Sequence, residues 1–274
     1  MMPLLSAHGA RIPTVGFGTS QLGDCADAVA AALRMGYRHI DTAWKYGTEQ
    51  GVGDGMRKSG VPRGDIFLTT KVSHENLRAA DFARSVDESL ARLQTDHVDL
   101  LLVHWPSIDN VPLDETMGAL AKAKRDGKTR FVGVANFNIA LLDEAMRLCP
   151  EPFSVLQAEY HPYLDQTKLL AHCRQKGLVF MAYCPLARGG VFGDPVLADI
   201  ARTKGRSIAQ ITLRWLVQQA NVAPIPRSAN PAHMAESLNL FDFTLSEAEM
   251  QRIHALRRAD GRIANPAGRA PAWD

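Results

Sequence analysis

The chain has 274 residues, 46% of them hydrophobic, and carries 31 basic against 29 acidic side chains for a net charge of +2. That length can bury a large core, and the near-even charge balance excludes a basic nucleic-acid surface or a charged tail. No apolar run approaches about 18 residues and no basic stretch precedes a long apolar one, so neither a membrane span nor a signal peptide is expected. The four cysteines, Cys25, Cys149, Cys173 and Cys184, lie far apart with no CxxC pair. No metal site or disulfide framework is expected, and reduced thiols in a cytoplasmic protein are the simplest reading.

In chain order, Leu4–Ser6 and Arg11–Thr14 flank His8-Gly9 and read as a small hairpin. Val15–Thr19 reads as a short strand. Asp24 is placed to cap a helix over Ala26–Met35, which Gly36 stops. Tyr37 to Asp41 alternates with period two, as a strand does. Asp41 falls at its end and Tyr46 follows just before Gly47. Gln50–Lys58 is helical, Ile66–Lys71 a strand and Ala79–Leu93 a helix with Phe82, Val86, Leu90 and Leu93 at helical spacing. Val98–His104 is apolar enough for a strand buried on both faces.

Leu113–Arg125 is a helix and Thr129–Asn136 a strand. Ile139–Leu148 is helical, Ser154–Glu159 a strand, Gln166–Lys176 a helix and Leu178–Tyr183 a strand. Pro195–Lys204 and Ser207–Gln219 are helices, Val222–Ile225 a strand, and Pro231–Leu238 and Ser246–Ala255 the last helices. The tail from Arg257 to Asp274 reads as a loop that wraps back over the body. About eight strand–helix units without a linker argue one α/β domain over 1–274, a closed (β/α)8 TIM barrel. A doubly wound dinucleotide fold is the rival, and no GxGxxG follows the first strand.

Asp41, Lys71, His104, Asn136, Gln157, Tyr183 and Arg227 all stand at strand exits. A barrel gathers those exits around one mouth, where its chemistry is done. Singly, each has a bland reading: Lys71 as a solvated loop lysine, His104 as a core histidine. Together they describe a site that polarises and protonates a carbonyl. A phenol with a pKa near 10 is a sluggish acid, and a Lys71 ammonium held by Asp41 would lower the pKa of Tyr46. His104 could donate to the same oxygen. The hydride then has to come from a cofactor.

The chain resembles the aldo-keto reductase superfamily over essentially its full length. The matching motifs are Gly16-Phe17-Gly18-Thr19, Asp41-Thr42-Ala43-x-x-Tyr46, Thr70-Lys71, His104-Trp105-Pro106, Gly133-Val134-Ala135-Asn136-Phe137, Gln157-x-Glu159-Tyr160-His161-Pro162 and Ile225-Pro226-Arg227-Ser228. The tail from Gly261 through Trp273 is most similar to bacterial 2,5-diketo-D-gluconate reductases of the B type. The resemblance implies an NADPH-dependent reductase of small aldehydes, ketones or keto acids, diketogluconate and methylglyoxal among them. Tyr46 is then the general acid, Lys71 and Asp41 its partners, and His104 the residue orienting the carbonyl. Gly18, Thr19 and Asp41 belong to the cofactor set. Asn136 and Gln157 match the residues holding the nicotinamide carboxamide, and Tyr183 the aromatic stacked on its ring. Leu186, Arg188 and Gly189 match a loop near the pyrophosphate. Arg227, Ser228, His233, Glu236 and Ser237 match the grip on the 2′-phosphate and adenine.

Several positions depart from the pattern. Arg227 stands where lysine is usual and stays a bidentate phosphate partner. His233 stands where arginine is usual and is mostly neutral at pH 7. Ser20 replaces an aromatic, Thr48 and Ser237 replace common asparagines, and Ala135 replaces a frequent serine. Trp44, Lys45 and Trp105 flank the catalytic positions as candidate substrate contacts; Lys45 either attracts a carboxylate or points to solvent. A monomer is expected. Two other functions stay open: a Schiff-base aldolase using Lys71, and a non-catalytic NADP-binding module that senses redox state.

Overall fold

The computed structural model describes residues 2–107 and 109–274. Strands β1 (Leu4–Ala7) and β2 (Ala10–Pro13) form the expected antiparallel hairpin. Eight parallel strands follow: β3 (Phe17–Gly18), β4 (His39–Asp41), β5 (Phe67–Val72), β6 (Val98–Val103), β7 (Thr129–Ala135), β8 (Phe153–Glu159), β9 (Val179–Tyr183) and β10 (Val222–Pro224). Each pairs with its sequence neighbour, so strand order is chain order. Two further backbone bonds join the ends: Gly16 N–H donates to the Pro224 carbonyl at 3.0 Å and Gly18 N–H to the Pro226 carbonyl at 2.9 Å. The sheet is thus a (β/α)8 barrel, and the doubly wound alternative is set aside.

The helices are α1 (Ala26–Met35), α2 (Glu49–Ser59), α3 (Ala79–Leu93), α4 (Leu113–Arg125), α5 (Ile139–Leu148), α6 (Thr167–Gln175), α7 (Pro195–Lys204), α8 (Ile208–Val217), α9 (Pro231–Leu238) and α10 (Glu247–His254). Several open on local chemistry. Ser207 with Gln210 and Ser246 with Glu249 form capping boxes, each satisfying amides that the first turn cannot. Asp194 and Asn138 cap α7 and α5 through their side chains. The start of α1 differs from expectation: Cys25 holds the N-cap position, and Asp24 reaches only the Ala26 N–H at 3.3 Å.

Strand alternation sorts the core into two layers. Leu101 and Val103 of β6 join the large cluster between sheet and helices, while Leu100 and Leu102 join a smaller cluster with Val155, Val179, Met181 and Ala223. Ala7, Ala10 and Ile12 of the hairpin belong to that second cluster, so the hairpin plugs one end of the barrel. Lys71 shares its pleat with Phe67 and Thr69, which turns it into the barrel interior. Asp41 lies opposite Thr69 in the β4–β5 register, one pleat from Lys71.

The closing seam demands glycine. A Cβ at Gly16 would sit 2.6 Å from His39 Nδ1 and 2.7 Å from Ile225 Cγ2, both buried neighbours. Overpacking of this kind costs about 1–3 kcal/mol. Gly16→Ala is expected to lower the unfolding free energy by that amount, read as a lower urea midpoint with an unchanged slope. An unchanged midpoint would show that the seam has slack.

Candidate active site

Asp41 ends β4, and the chain then turns through a 3₁₀ segment, Trp44–Tyr46, that the periodicity did not reveal. Tyr46 N–H bonds the Ala43 carbonyl at 3.0 Å, and Gly47 leaves the turn at φ 69°. This swings Tyr46 back over the barrel mouth. Lys71, wholly buried, donates to Asp41 Oδ1 at 2.6 Å and to the Thr42 carbonyl at 2.8 Å. Its ammonium is 5.1 Å from the Tyr46 ring centre. The His104 ring meets Tyr46 edge-on at 5.4 Å between centroids.

The charges follow from burial and neighbours. Burial works to lower the pKa of Lys71, but the Asp41 carboxylate and the Tyr46 phenol hold it above its ordinary value. For Tyr46, burial pushes the pKa up and Lys71 pulls it back. The net direction is up, which corrects the expectation that Lys71 would prevail. His104 is driven well below its ordinary value, by burial first and then by Lys71. The cluster is therefore a protonated lysine, a neutral phenol and a neutral imidazole around one opening.

The same opening leads into a cavity of about 720 Å³. It is lined by Gly18, Asp41, Tyr46, His104, Trp105, Asn136, Gln157, Tyr183, Leu186, Arg188, Gly189, Arg227, Ser228, His233, Glu236 and Ser237, all anticipated. Lys71 lies behind Asp41 rather than on the wall. Three expected contacts do not line it. Thr19 is buried beneath, donating to the Asp41 carbonyl at 3.1 Å and touching Thr48 Oγ1 at 3.1 Å. Trp44 donates its indole N–H to Glu88 at 2.9 Å and lies under the Arg92 guanidinium. Lys45 is exposed and paired with Glu75 at 2.7 Å, so neither side chain reaches the cavity.

The amides are already engaged. Gln157 Nε2 donates to Asp41 Oδ2 at 2.8 Å, so the atom it has left for a ligand is its carbonyl oxygen. Asn136 Nδ2 donates to the His104 carbonyl at 2.9 Å, while its Oδ1 accepts the Tyr183 hydroxyl at 2.7 Å. Asn136 holds φ 63°, a left-handed geometry that asparagine tolerates. Farther along, Arg188 and Gly189 kink the chain at φ 52° and 97°. Arg227 is exposed, with one long bond of 3.4 Å to Gln21. Ser228 Oγ accepts the Asn230 N–H at 3.0 Å, Asn230 caps α9, and His233 is exposed beside them. This half suits an elongated anion, with the Arg227 cation as its least committed partner.

Sequence reasoning missed other wall residues. Gln21, Cys184, Pro185, Phe192, Ser207, Ile208, Ala209, Ala229 and Ala264 come from loops and a helix start with no chemical signature. Among the described residues, no group of three or more His, Cys, Asp or Glu side chains is placed to hold a metal. Nor is any helix there long and apolar enough to cross a membrane.

A family model described as the aldo/keto reductase family matches residues 14–258. The chain is 39% identical over 267 residues to the methylglyoxal reductase DkgB of Escherichia coli O157:H7, covering 96% of this chain and 99% of that one. A solved structure described as "a putative 2,5-diketo-D-gluconic acid reductase B" superposes with a TM-score of 0.97 at 47% identity, over 100% of this chain and 98% of that one. An aldo-keto reductase of Bombyx mori in complex with NADP superposes at 0.88 with 32% identity, over 94% and 93%.

The depressed pKa of His104 has a direct readout. Its ring is expected to stay neutral at pH values where an ordinary histidine, with a pKa of about 6.5, is already half protonated, as read in ¹H–¹⁵N spectra of the imidazole. A midpoint at or above that ordinary value would contradict the burial described here.

Proposed function

The chain belongs to the aldo/keto reductase family, and on that premise we propose that it reduces the carbonyl of small aldehydes, ketones or keto acids with NADPH. The observation that carries this is the buried Asp41–Lys71 pair beneath Tyr46, facing His104 across one cavity. The relatives named above, a methylglyoxal reductase and a putative diketogluconate reductase, support small oxo compounds as the substrate class.

The mechanism follows from the protonation states. Neutral His104 donates a hydrogen bond to the carbonyl oxygen and sets its place. Tyr46 gives that oxygen its proton as charge builds on it, and the phenolate left behind lies beside the Lys71 ammonium. Asp41 keeps Lys71 charged and aimed, and Gln157 keeps Asp41 aimed. When bound, the reduced nicotinamide supplies the hydride for the carbonyl carbon, so hydride and proton together turn the carbonyl into an alcohol. Solvent returns the proton to Tyr46.

The residues present fit such a cofactor. Tyr183 is at the wall where a ring could stack, Gly18 leaves the backbone open, and Arg227 with Ser228 offers a cation and a hydroxyl to a phosphate. A Cβ at Gly18 would be crowded, 3.1 Å from the Ile225 carbonyl oxygen, so a side chain there needs its neighbour to give by a few tenths of an ångström. The expected roles of Arg188, Gly189, His233, Glu236 and Ser237 in the same grip stand as part of this proposal. So do a cytoplasmic setting for the free thiols, a single domain and a monomeric state.

The aldolase reading fits less well. A Schiff base needs a neutral lysine, and Lys71 is held charged by Asp41. The non-catalytic reading is separated by substitution. Tyr46→Phe is expected to lower kcat for methylglyoxal reduction by about 10²–10⁴-fold while leaving NADPH affinity within about 2-fold. Retained turnover would remove Tyr46 as the acid. Titration of tryptophan fluorescence is expected to give tighter binding of NADPH than of NADH, and Arg227→Ala should abolish the difference. Equal binding in the parent protein would mean that His233, in place of a cation, leaves the phosphate ungripped.

A further inference from the structure

Three buried threonine hydroxyls run in a row from the Asp41 carbonyl, and the mechanism above has no use for them. Thr19 Oγ1 donates to that carbonyl at 3.1 Å. Thr48 Oγ1 lies 3.1 Å from Thr19 Oγ1, and Thr42 Oγ1 lies 3.0 Å from Thr48 Oγ1. A hydroxyl carries a single proton, which fixes the direction of the row. Thr19 spends its proton on Asp41, so it accepts from Thr48. Thr48 then has none left for Thr42, so Thr42 donates to Thr48. The row runs Thr42, Thr48, Thr19, and ends on the main chain of Asp41.

Its middle member is out of character. Thr48 is the N-cap of α2, and its carbonyl accepts the Val52 N–H at 2.9 Å, yet its side chain makes no capping bond. A threonine in that position ordinarily offers its oxygen to an amide of the first turn. Here the hydroxyl is turned onto Thr19 and Thr42 instead. The Cys25 thiol also reaches the Thr48 carbonyl, at 3.6 Å, so main chain and side chain are both held. The next residue holds the neighbouring strand. Glu49 Oε1 accepts the hydroxyl of Thr70, the residue before Lys71, at 2.6 Å. The start of α2 therefore grips β5 at Thr70 and the exit of β4 at Thr42.

The bond between Thr42 and Thr48 closes a short loop, and that loop is the 3₁₀ turn that carries Tyr46. Its first foot belongs to the ion pair. Thr42 gives its carbonyl to the Lys71 ammonium at 2.8 Å, and its N–H donates to the Thr69 carbonyl at 2.9 Å. Its second foot, Thr48, follows Tyr46 and Gly47. Gly47 permits the turn at φ 69° but, having no side chain, does nothing to hold it. The hydroxyl bond across the feet supplies that hold. It ties the phenol, carried inside the loop, to the ammonium bound at the first foot.

We propose that Thr48 is a positioning residue for the general acid: its hydroxyl, at the centre of the threonine row, staples the Tyr46 turn and holds the phenol in line with Lys71 and the substrate oxygen. The inference rests on the reductase reading with Tyr46 as the acid. Thr48 is buried and is not among the residues that line the cavity, so its hydroxyl acts through Tyr46 and not on a ligand. Misplacing a reacting group by about 1 Å costs about 10²-fold in rate. The loss belongs to the proton transfer and leaves binding alone, which is the pattern of an interaction felt only in the transition state.

The test compares Thr48→Val, which keeps the shape and removes the hydroxyl, with Thr48→Ser, which keeps the hydroxyl, and with Thr42→Val. Thr48→Val is expected to lower kcat for methylglyoxal about 10–100-fold and to leave KM and NADPH affinity within about 2-fold. Thr48→Ser should return kcat to within about 3-fold of the parent. Thr42→Val removes the same bond from its donor side and strands no proton, whereas Thr48→Val leaves the buried Thr42 hydroxyl without its acceptor. Thr42→Val should therefore unfold at a higher urea concentration than Thr48→Val and show the same loss of kcat, so it carries the test if Thr48→Val does not fold. A kcat that merely follows the urea midpoint, a serine variant as slow as the valine, or a change in KM alone overturns the proposal. A second readout needs no turnover. The ¹H–¹⁵N signal of the buried Lys71 ammonium is expected to move in both valine variants and to keep its parent position in Thr48→Ser. An unmoved signal in the valine variants overturns the proposal. Inertness of the parent protein toward methylglyoxal with NADPH overturns the reductase reading instead, and the Lys71 signal still tells whether Thr48 sets that ammonium.

Discussion

A lysine with no solvent exposure is an expensive thing to place inside a barrel. Burying one ammonium costs several kcal/mol unless its partners are close and well aimed. Here Lys71 has a carboxylate oxygen at 2.6 Å and a carbonyl at 2.8 Å. The other oxygen of Asp41 accepts the Gln157 amide at 2.8 Å. Much of the upper barrel serves this arrangement. β4 and β5 must hold their register, β8 must bring Gln157 to the same level, and the turn after β4 must lay Tyr46 over the ammonium. A one-residue slip of β5 would put Lys71 on the helix-facing side and leave Asp41 without its partner.

That dependence explains why so much was legible in the chain. Strand positions, their polar exits and the closed architecture follow from period-two alternation and from helices between strands. Asp41, Lys71, His104, Asn136, Gln157 and Tyr183 could be found because an ionisable or amide group ending an apolar strand has no packing reason to be there. What alternation fixes is the face a residue occupies. It says nothing of the partner it meets. Lys45 and Trp44 sit beside Tyr46 in sequence, yet their partners Glu75 and Glu88 lie 30 and 44 residues away and draw them out of the cavity. Thr19 was expected in the right region but lies one layer deeper than the cavity wall. For Tyr46, the motif shows the neighbouring cation and hides the desolvation, which is a property of the folded wall.

Apart from Arg227 at its strand exit, the second half of the cavity was legible only through the resemblance. Ser228 to Ser237 carry no periodic or chemical signal that composition could isolate. Their grouping comes from α9 opening just beyond β10, with Asn230 as its cap. The tail was hidden for a related reason. Its proline- and glycine-rich sequence reads as loose, but backbone amides fasten it, and an amide looks the same at every residue. Glu159 is the visible half of that contact, a carboxylate inside an apolar strand whose partners lie 104 and 105 residues downstream.

The seam between β3 and β10 holds a last consequence. The other neighbouring strands of the barrel pair as parallel ladders, interrupted between β7 and β8 by a register shift at Val132/Gly133, whereas this seam has two backbone bonds, Gly16 to Pro224 and Gly18 to Pro226. It is also where Gly18 and Arg227 come to the cavity wall from opposite edges of the sheet. A ligand lying along both would bridge the first and last strands, and part of its binding energy would become closure energy for the cylinder. The empty barrel would then breathe along this line, and amide protons of the first and last strands would be the ones to slow their exchange when the cleft is filled. Ligand occupancy and the integrity of the fold would be read at the same hydrogen bonds.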